Sequence, residues 1–211
     1  RQLLIEGFLR ELARLGPAVA QPKDVCAELG LSKALVNYHF GSRDGLIAEC
    51  MAVGYERYVD ELMAAADTAG APGTNPEARL RAWIERQIDW TKENRGLAAA
   101  LNFPNVASGL PQGIPGEVSN RLQEAGTRNM FNLLGLVRDV RAADRPDGNP
   151  GDDVETGFDS VVVGWMTLGF SVWNGGRHEP TGGWSPEHHA AARKHLVDNA
   201  VAIARRSPVR G

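Results

Sequence analysis

Two short segments on either side of Gly30 constrain the fold of this chain more than any other feature of its sequence. The first begins at Pro22, which suits the first turn of a helix because its missing N–H is not needed there, and runs to about Leu29. The second follows Ser32, a good N-cap residue, and runs from Lys33 to about Phe40. Two short helices joined by a tight turn that contains glycine form a helix-turn-helix.

Helical periodicity extends over the rest of the chain. Apolar residues recur at spacings of three and four between residues 2 and 15, and Gly16-Pro17 ends that helix. A fourth helix is predicted to begin after Ser42 and to reach about Ala66. Further helices are predicted at about 76–94, 97–102, 117–141, 154–174 and 186–206. No segment alternates polar and apolar residues as a strand does, so the sequence predicts an all-α fold.

The composition narrows the functional classes. The 211 residues carry a net charge of −3, so the chain as a whole is not a basic nucleic-acid coat. Residues 1–46 hold six Lys/Arg and five Asp/Glu, a balance that neither supports nor excludes DNA as a partner. Cys26 and Cys50 do not form a disulfide scaffold, which fits a reduced, cytoplasmic location. No apolar run approaches the roughly 20 residues that span a bilayer.

The most specific pattern is that of residues 30–46, Gly-Leu-Ser-Lys-Ala-Leu-Val-Asn-Tyr-His-Phe-Gly-Ser-Arg-Asp-Gly-Leu. It closely resembles the helix-turn-helix of the TetR family of transcriptional regulators, and the distance from Gly16 to Gly30 matches that family without insertion. The resemblance covers about 46 residues, and the remaining 165 resemble the family only in helical order. It implies a three-helix DNA-binding head, residues 1–46, followed by a helical-bundle domain for ligand binding and dimerisation, residues 47–211.

The resemblance also implies roles for individual residues of the head. In the family, the positions that match Lys33, Ala34 and Asn37 commonly reach base edges. The positions that match Tyr38, His39 and Arg43 commonly hold phosphates. These side chains suit those roles, because Asn can bond adenine bidentately while Tyr, His and Arg suit phosphate oxygens.

Two positions depart from the family pattern. Asn37 stands where the family usually has Tyr, so the preferred base step is expected to be unusual. Residues 20–22, Ala-Gln-Pro, stand where helix two usually starts with Ser or Thr, which puts one phosphate contact and the usual cap in doubt. The alternative interpretation of residues 23–40 is an ordinary helical hairpin, for which the pair Tyr38-His39 would be an odd choice on a buried face.

Aromatic residues are concentrated after residue 80, where they form either a solid core or the wall of an apolar cavity. Polar residues such as Gln87 and Asn129 interrupt apolar helix faces there and need partners. The candidate ligand-binding residues are Trp83, Gln87, Trp90, Phe103, Asn129, Met130, Trp165 and Phe170. The expected ligand is a small apolar or aromatic molecule, and this expectation rests on the family resemblance more than on the residues.

The last two predicted helices, within residues 154–206, carry wide apolar faces. These faces resemble the four-helix dimer interface of the family, in which each chain supplies two helices. A two-fold homodimer would also place two recognition helices on two DNA half-sites. The alternative is that these helices complete the core of a single chain.

The predicted function is that of a DNA-binding transcriptional regulator, a repressor released from its operator by a small molecule. No local arrangement of residues marks a catalytic site, a cofactor site or a metal site, so the chain is not expected to be an enzyme. The alternative is an all-helical enzyme or carrier with an aromatic pocket, in which the N-terminal hairpin is only structural.

Overall fold

The structure is a computed structural model that describes residues 1–102, 111, 113–145, 147–151, 153–173 and 185–206. Over these residues it contains α-helices and no strand. The helices are α1 (Gln2–Leu15), α2 (Pro22–Glu28), α3 (Ala34–Phe40), α4 (Arg43–Ala69), α5 (Pro76–Glu93), α6 (Arg95–Asn102), α7 (Gly116–Ala143), α8 (Asp153–Trp173) and α9 (Pro186–Ala204). The predicted all-α fold is confirmed, and every predicted helix is present with ends that differ by at most three residues.

The chain divides into two compact units. Unit 1 comprises residues 1–59 and 91–126, and unit 2 comprises residues 60–90 and 127–211. The predicted functional boundary at residue 46 falls inside α4 and stays a prediction. Among the described residues, none of the helices combines the length and the apolar character needed to span a bilayer.

The core of unit 1 forms around α1, whose apolar face follows helical spacing. The buried side chains of this face are Leu4, Ile5, Phe8, Leu9 and Leu12. Each such side chain stabilises the fold by about 1.5–3 kcal/mol when it is fully buried. Two buried thiols lie in the same unit, Cys26 on α2 and Cys50 on α4, and both are free. Burial raises the pKa of the Cys50 thiol well above its usual range.

Close helix contacts in unit 1 depend on glycine. A methyl group on Gly96, at the start of α6, would lie 2.2 Å from the backbone nitrogen of Gly16 at the end of α1. A methyl group on Gly54 of α4 would lie 2.6 Å from Leu97 of α6. Because the contact of Gly96 is with backbone, α6 can approach α1 only where position 96 lacks a side chain, whereas at Gly54 the end of the Leu97 side chain would have to shift.

Charged residues join α4 to α7 within unit 1. Arg121 of α7 donates to Glu56 at 2.8 Å and to Glu49 at 2.9 Å, and both carboxylates belong to α4. Glu49 is buried, and although burial raises its pKa, the hydrogen bonds and charges of Arg121 and Arg1 leave that pKa below its usual range. The ionised form of Glu49 is therefore held in place by its partners.

Unit 2 is joined internally by a buried arginine. Arg141 of α7 donates to the carbonyl oxygen of Ala204 at 3.1 Å and to the hydroxyl of Thr156 at 2.9 Å. Its second terminal nitrogen donates to Asp159 of α8. A buried guanidinium requires partners for its charge and its donors, and these three supply them from α8 and α9. Arg141 therefore fixes the ends of three helices relative to one another.

Candidate nucleic-acid interface

The turn between α2 and α3 has the backbone that its sequence predicts. Leu29 ends α2 in a right-handed conformation, and Gly30 follows with a φ of 65°, in the left-handed region that favours glycine. The N–H of Leu31 donates to the carbonyl of Cys26 at 2.8 Å, which closes the turn. Ser32 is not the N-cap that the sequence predicts, because α3 begins at Ala34 and its N-cap is Lys33, which makes no side-chain cap bond. The hydroxyl of Ser32 instead accepts from the N–H of Ala34 at 3.3 Å.

Helix α3 has one buried side and one exposed side. Val36 is buried, whereas Lys33, Ala34 and Asn37 are exposed. Tyr38 is also exposed, with 81% of its surface accessible, and its ring meets the ring of His39 edge-on with centroids 4.8 Å apart. The candidate base-contact residues therefore lie on the exposed side of a short helix that a major groove can admit.

The turn between α3 and α4 is tighter than the sequence pattern suggests. Gly41 has a φ of 74°, and the hydroxyl of Ser42 accepts from the N–H of Gly45 at 3.0 Å, as expected for the cap of α4. A methyl group on Gly45 would lie 2.0 Å from the carbonyl oxygen of Phe40. Glycine is therefore required at position 45 to hold the end of α3 against the start of α4. Sequence reasoning missed this role, because a glycine inside a helix reads only as a weak helix former.

Arg43 is placed differently from the other predicted phosphate contacts. It is half-buried, and one of its terminal nitrogens donates to the carbonyl oxygens of Pro17 and Ala20, the latter at 3.0 Å. Its other terminal nitrogen lies 3.5 Å from a carboxylate oxygen of Asp44. The guanidinium is therefore engaged with the protein, whereas the side chains of Tyr38 and Asn37 are exposed.

The predicted ligand-binding residues on α5 are buried in the structure. Trp83 and Gln87 lie in unit 2, and the hydroxyl of Thr167 lies 2.8 Å from the amide oxygen of Gln87. Trp90 is also buried. The indole nitrogen of Trp83 and the amide oxygen of Asn129 are buried and have no hydrogen-bond partner among the described residues. An orphaned buried polar atom marks a place for a water or a ligand.

Two of the remaining predicted ligand-binding residues lie on the surface. Met130 and Trp165 are exposed, Phe170 is half-buried, and Phe103 lies outside the described residues. Within a single chain, Met130 and Trp165 therefore lie on the surface of unit 2 rather than around an interior space. No group of three or more His, Cys, Asp or Glu side chains in the described ranges is arranged to hold a metal ion.

Helices α8 and α9 use their apolar residues differently. The exposed apolar side chains of α8 are Val154, Phe158, Val161, Val162 and Trp165. They recur at helical spacing and form one face, which is called the α8 face below. The apolar residues of α9 from Leu196 to Ala204 that were predicted to meet a partner are buried within the same chain. The surplus apolar surface predicted for both helices is therefore found on α8.

Comparison with known proteins supports the fold. No protein-family model matches the sequence, and no curated protein matches it. A TetR-family regulatory protein from Rhodococcus RHA1 superposes with a TM-score of 0.65 at 13% identity, over 98% of this chain and 97% of its own. The regulator PfmR of the TetR family, from Thermus thermophilus, superposes with a TM-score of 0.59 at 19% identity, over 96% and 99%.

A third structure belongs to FadR, a regulator of fatty acid degradation from Bacillus halodurans. It superposes with a TM-score of 0.62 at 12% identity, over 95% of this chain and 97% of its own. The chain thus has the fold of TetR-family transcriptional regulators along nearly its whole length. The fold predicted from the resemblance of residues 30–46 is confirmed.

Proposed function

We propose that the chain is a ligand-responsive, DNA-binding transcriptional regulator, and that it is a cytoplasmic repressor released from its operator by a small apolar or aromatic molecule. The observation that carries this proposal is the exposed side of α3, where Asn37, Tyr38 and the N-cap residue Lys33 are accessible, in the same unit as α1 and α2. The likeness to TetR-family folds supports it.

The proposed DNA contacts follow from side-chain chemistry. Lys33 and Asn37 carry donors that can read base edges, and Ala34 is small enough to let the helix approach the bases. Tyr38 and His39 are proposed to hold phosphate oxygens, which set the register without reading the sequence. Net charge contributes little to this interface, because residues 1–46 are nearly neutral, so a small number of directed contacts must provide the affinity.

The proposed partner of the α8 face is a second copy of this chain. Phe158 and Trp165 are 68% and 60% exposed. Contact of this apolar surface with water is unfavourable, and burial against an identical face would remove it. A two-fold axis through this face would pair two recognition helices for two half-sites. We therefore propose a homodimer through the predicted segment 154–206, with α8 as its apolar centre.

The proposed effector site lies in unit 2 around Trp83 and Gln87. Their burial, together with the orphaned amide oxygen of Asn129 in the same unit, supports a ligand that is mainly apolar and carries a few polar groups. The fatty acid degradation regulator among the structural neighbours is consistent with an apolar effector. Because a ligand shifts an equilibrium only by its differential affinity, the effector must bind the DNA-free conformation more tightly.

The test of the DNA-binding function is selection of bound duplexes from a random-sequence library by the purified chain. The expected result is an enriched motif with two-fold symmetry, which the protein then binds at least about a thousandfold more tightly than a shuffled duplex at the same salt concentration. Asn37→Ala should change the enriched motif, while Lys92→Ala, a change on α5, should leave it unchanged. Failure to enrich any motif would contradict the proposal.

A further inference from the structure

We propose that Arg43 is a positioning residue that fixes the geometry of the helix-turn-helix, and that it is not a phosphate ligand. This inference rests on the proposed DNA-binding function, and it reassigns the role that the family resemblance implies for this position. The observation behind it is the hydrogen bonding of the guanidinium to two backbone carbonyls, those of Pro17 and Ala20.

Two of the five N–H donors of Arg43 are committed to backbone carbonyls. A guanidinium carries five N–H donors, and both hydrogens of one terminal nitrogen point to the carbonyls of Pro17 and Ala20. The other terminal nitrogen faces Asp44 at 3.5 Å, and the remaining nitrogen is buried without a hydrogen-bond partner in the described part of the chain. The neighbouring carboxylate of Asp44 would also repel a phosphate. One terminal nitrogen of the guanidinium is therefore taken up by the turn, and the other lies beside a carboxylate.

The carbonyls that Arg43 holds belong to the short connection between α1 and α2. Gly16 opens this connection with a φ of 75°, and the N–H of Ala20 donates to its carbonyl at 3.1 Å. Ala20 is completely buried, and Pro17 is buried as well. The connection is thus a defined turn, packed into unit 1, rather than a loose loop.

The position of this turn explains why holding it matters. Ala20 lies two residues before the start of α2 at Pro22, and Arg43 lies three residues after the end of α3 at Phe40. Hydrogen bonds between them therefore join the two ends of the helix-turn-helix segment. The orientation of α2 and α3 is fixed at the Gly30 turn on one side and at Arg43 on the other.

Salt dependence separates positioning from phosphate binding. Affinity for DNA falls as salt concentration rises, and loss of one charged phosphate contact makes the plot of log affinity against log salt shallower by about one. Loss of a positioning residue lowers affinity at every salt concentration and leaves the slope unchanged. For Arg43→Gln we expect at least about a tenfold loss of affinity, the equivalent of one charged hydrogen bond, for specific and shuffled duplexes alike.

The matched control is Arg14→Gln. Arg14 lies on α1 in the same unit, and its ion pair is with Glu11 of its own helix, so this variant removes the same charge without touching the turn. The comparison of the two variants isolates the role of the two carbonyl bonds. The proposal would be overturned if the salt dependence of Arg43→Gln were shallower by about one than that of Arg14→Gln. It would also be overturned if Arg43→Gln bound DNA as tightly as the native chain.

Amide hydrogen exchange of the free protein gives a readout that does not depend on DNA. Arg43→Gln should speed exchange of the N–H groups of Val19 and Ala20, which donate to Gly16, while thermal melting shows that the protein is still folded. If Arg43→Gln does not fold, Arg43→Lys replaces it. Lysine keeps the charge but loses the planar fork, so faster exchange supports positioning, and exchange and affinity like those of the native chain overturn it.

The two proposals fail in distinguishable ways. If the native chain does not bind duplex DNA, the proposed function fails, and exchange at Val19 and Ala20 still decides whether Arg43 fixes the turn. If the native chain binds DNA but the Arg43 variants keep the exchange rates of the native turn, the proposed function stands and the positioning role is wrong.

Discussion

Gly96 at the start of α6 lies directly against Gly16 at the end of α1, so that a methyl group on Gly96 would be 2.2 Å from the Gly16 nitrogen and 2.6 Å from its α-carbon. Both contacts are with backbone, which cannot rotate away as a side chain can. Gly96→Ala should therefore separate α6 from α1 and lower the free energy of unfolding by about 1–3 kcal/mol, as overpacking does. Urea denaturation measures this change.

The control for this substitution is Gly135→Ala in α7. A methyl group there meets nothing within 4 Å, and position 135 lies inside a helix. Alanine should therefore stabilise the chain by about 0.5–1 kcal/mol, because it restricts the unfolded backbone. If the two substitutions changed the free energy of unfolding equally, the close contact between α1 and α6 would not be the cause of the change.

Substitutions on α3 should divide into two kinds. Tyr38→Ala should weaken binding to every duplex by a similar factor, because a phosphate contact carries no sequence information. Asn37→Ala should reduce the free energy of binding to the preferred site by about 1–3 kcal/mol. It should have little effect on binding to a site in which the base pair read by Asn37 is already changed. Binding measured on a panel of single-base-pair variants distinguishes them, and loss of base preference from Tyr38→Ala would exchange the two roles.

The α8 face should control association. Phe158→Glu places a charge on the exposed apolar face and should convert the proposed dimer to monomer in sedimentation velocity, with helical content unchanged. Leu3→Glu makes the same change at an exposed position of α1 and should leave the dimer intact. Dimers that persist in Phe158→Glu would move the interface away from α8.

The ion pair of Glu6 and Arg57 should make stability depend on pH in acid. Hydrogen bonds from Arg57 lower the pKa of Glu6 to about 2, against 4.5 in the unfolded chain. A lowered acid pKa stabilises the fold above the unfolded value, and this stability is lost as pH falls from 4.5 to 2. Both side chains are more than one-third exposed, so solvent screening limits the effect to at most about 1 kcal/mol.

Glu6→Gln checks this pH dependence by urea denaturation. The variant should be less stable than the native chain at about pH 7, and the difference should close as the pH falls from 4.5 to 2. A difference that is constant across this range would show that packing, rather than charge, is the property that the substitution changes.

The hydroxyl of Thr167 should matter through Gln87. Thr167→Val keeps the shape of the side chain but leaves the buried amide oxygen of Gln87 without this partner, at a cost of about 1–3 kcal/mol. Thr167→Ser keeps the hydroxyl and should recover most of the loss. A neutral Thr167→Val would mean that another group satisfies Gln87.

Much of the fold follows from the sequence because helix signals are local. Glycine at 30 and 41 supplies the left-handed residues of the two turns, Ser42 supplies a cap, and the period of apolar residues in α1 predicts its buried face. These features depend on residues within a few positions of one another, so the pattern of one segment is sufficient to predict them.

The structure adds contacts that join distant segments. The role of Arg43 depends on carbonyls 23 and 26 residues away in sequence, and a local pattern does not contain that information. The same limit applies to α9, whose apolar residues suit either a partner or the chain's own core. They are buried within the same chain, whereas the apolar residues of the α8 face are exposed.

The burial of both thiols has a practical consequence for solution experiments. Cys26 and Cys50 are the only cysteines of the chain, and neither is accessible to a maleimide reagent in the folded state. A cysteine introduced at an exposed position such as Ala202 of α9 should therefore take up a fluorescent label alone, without removal of the native thiols. Energy transfer between the labels of two copies would then report assembly directly in dilute solution.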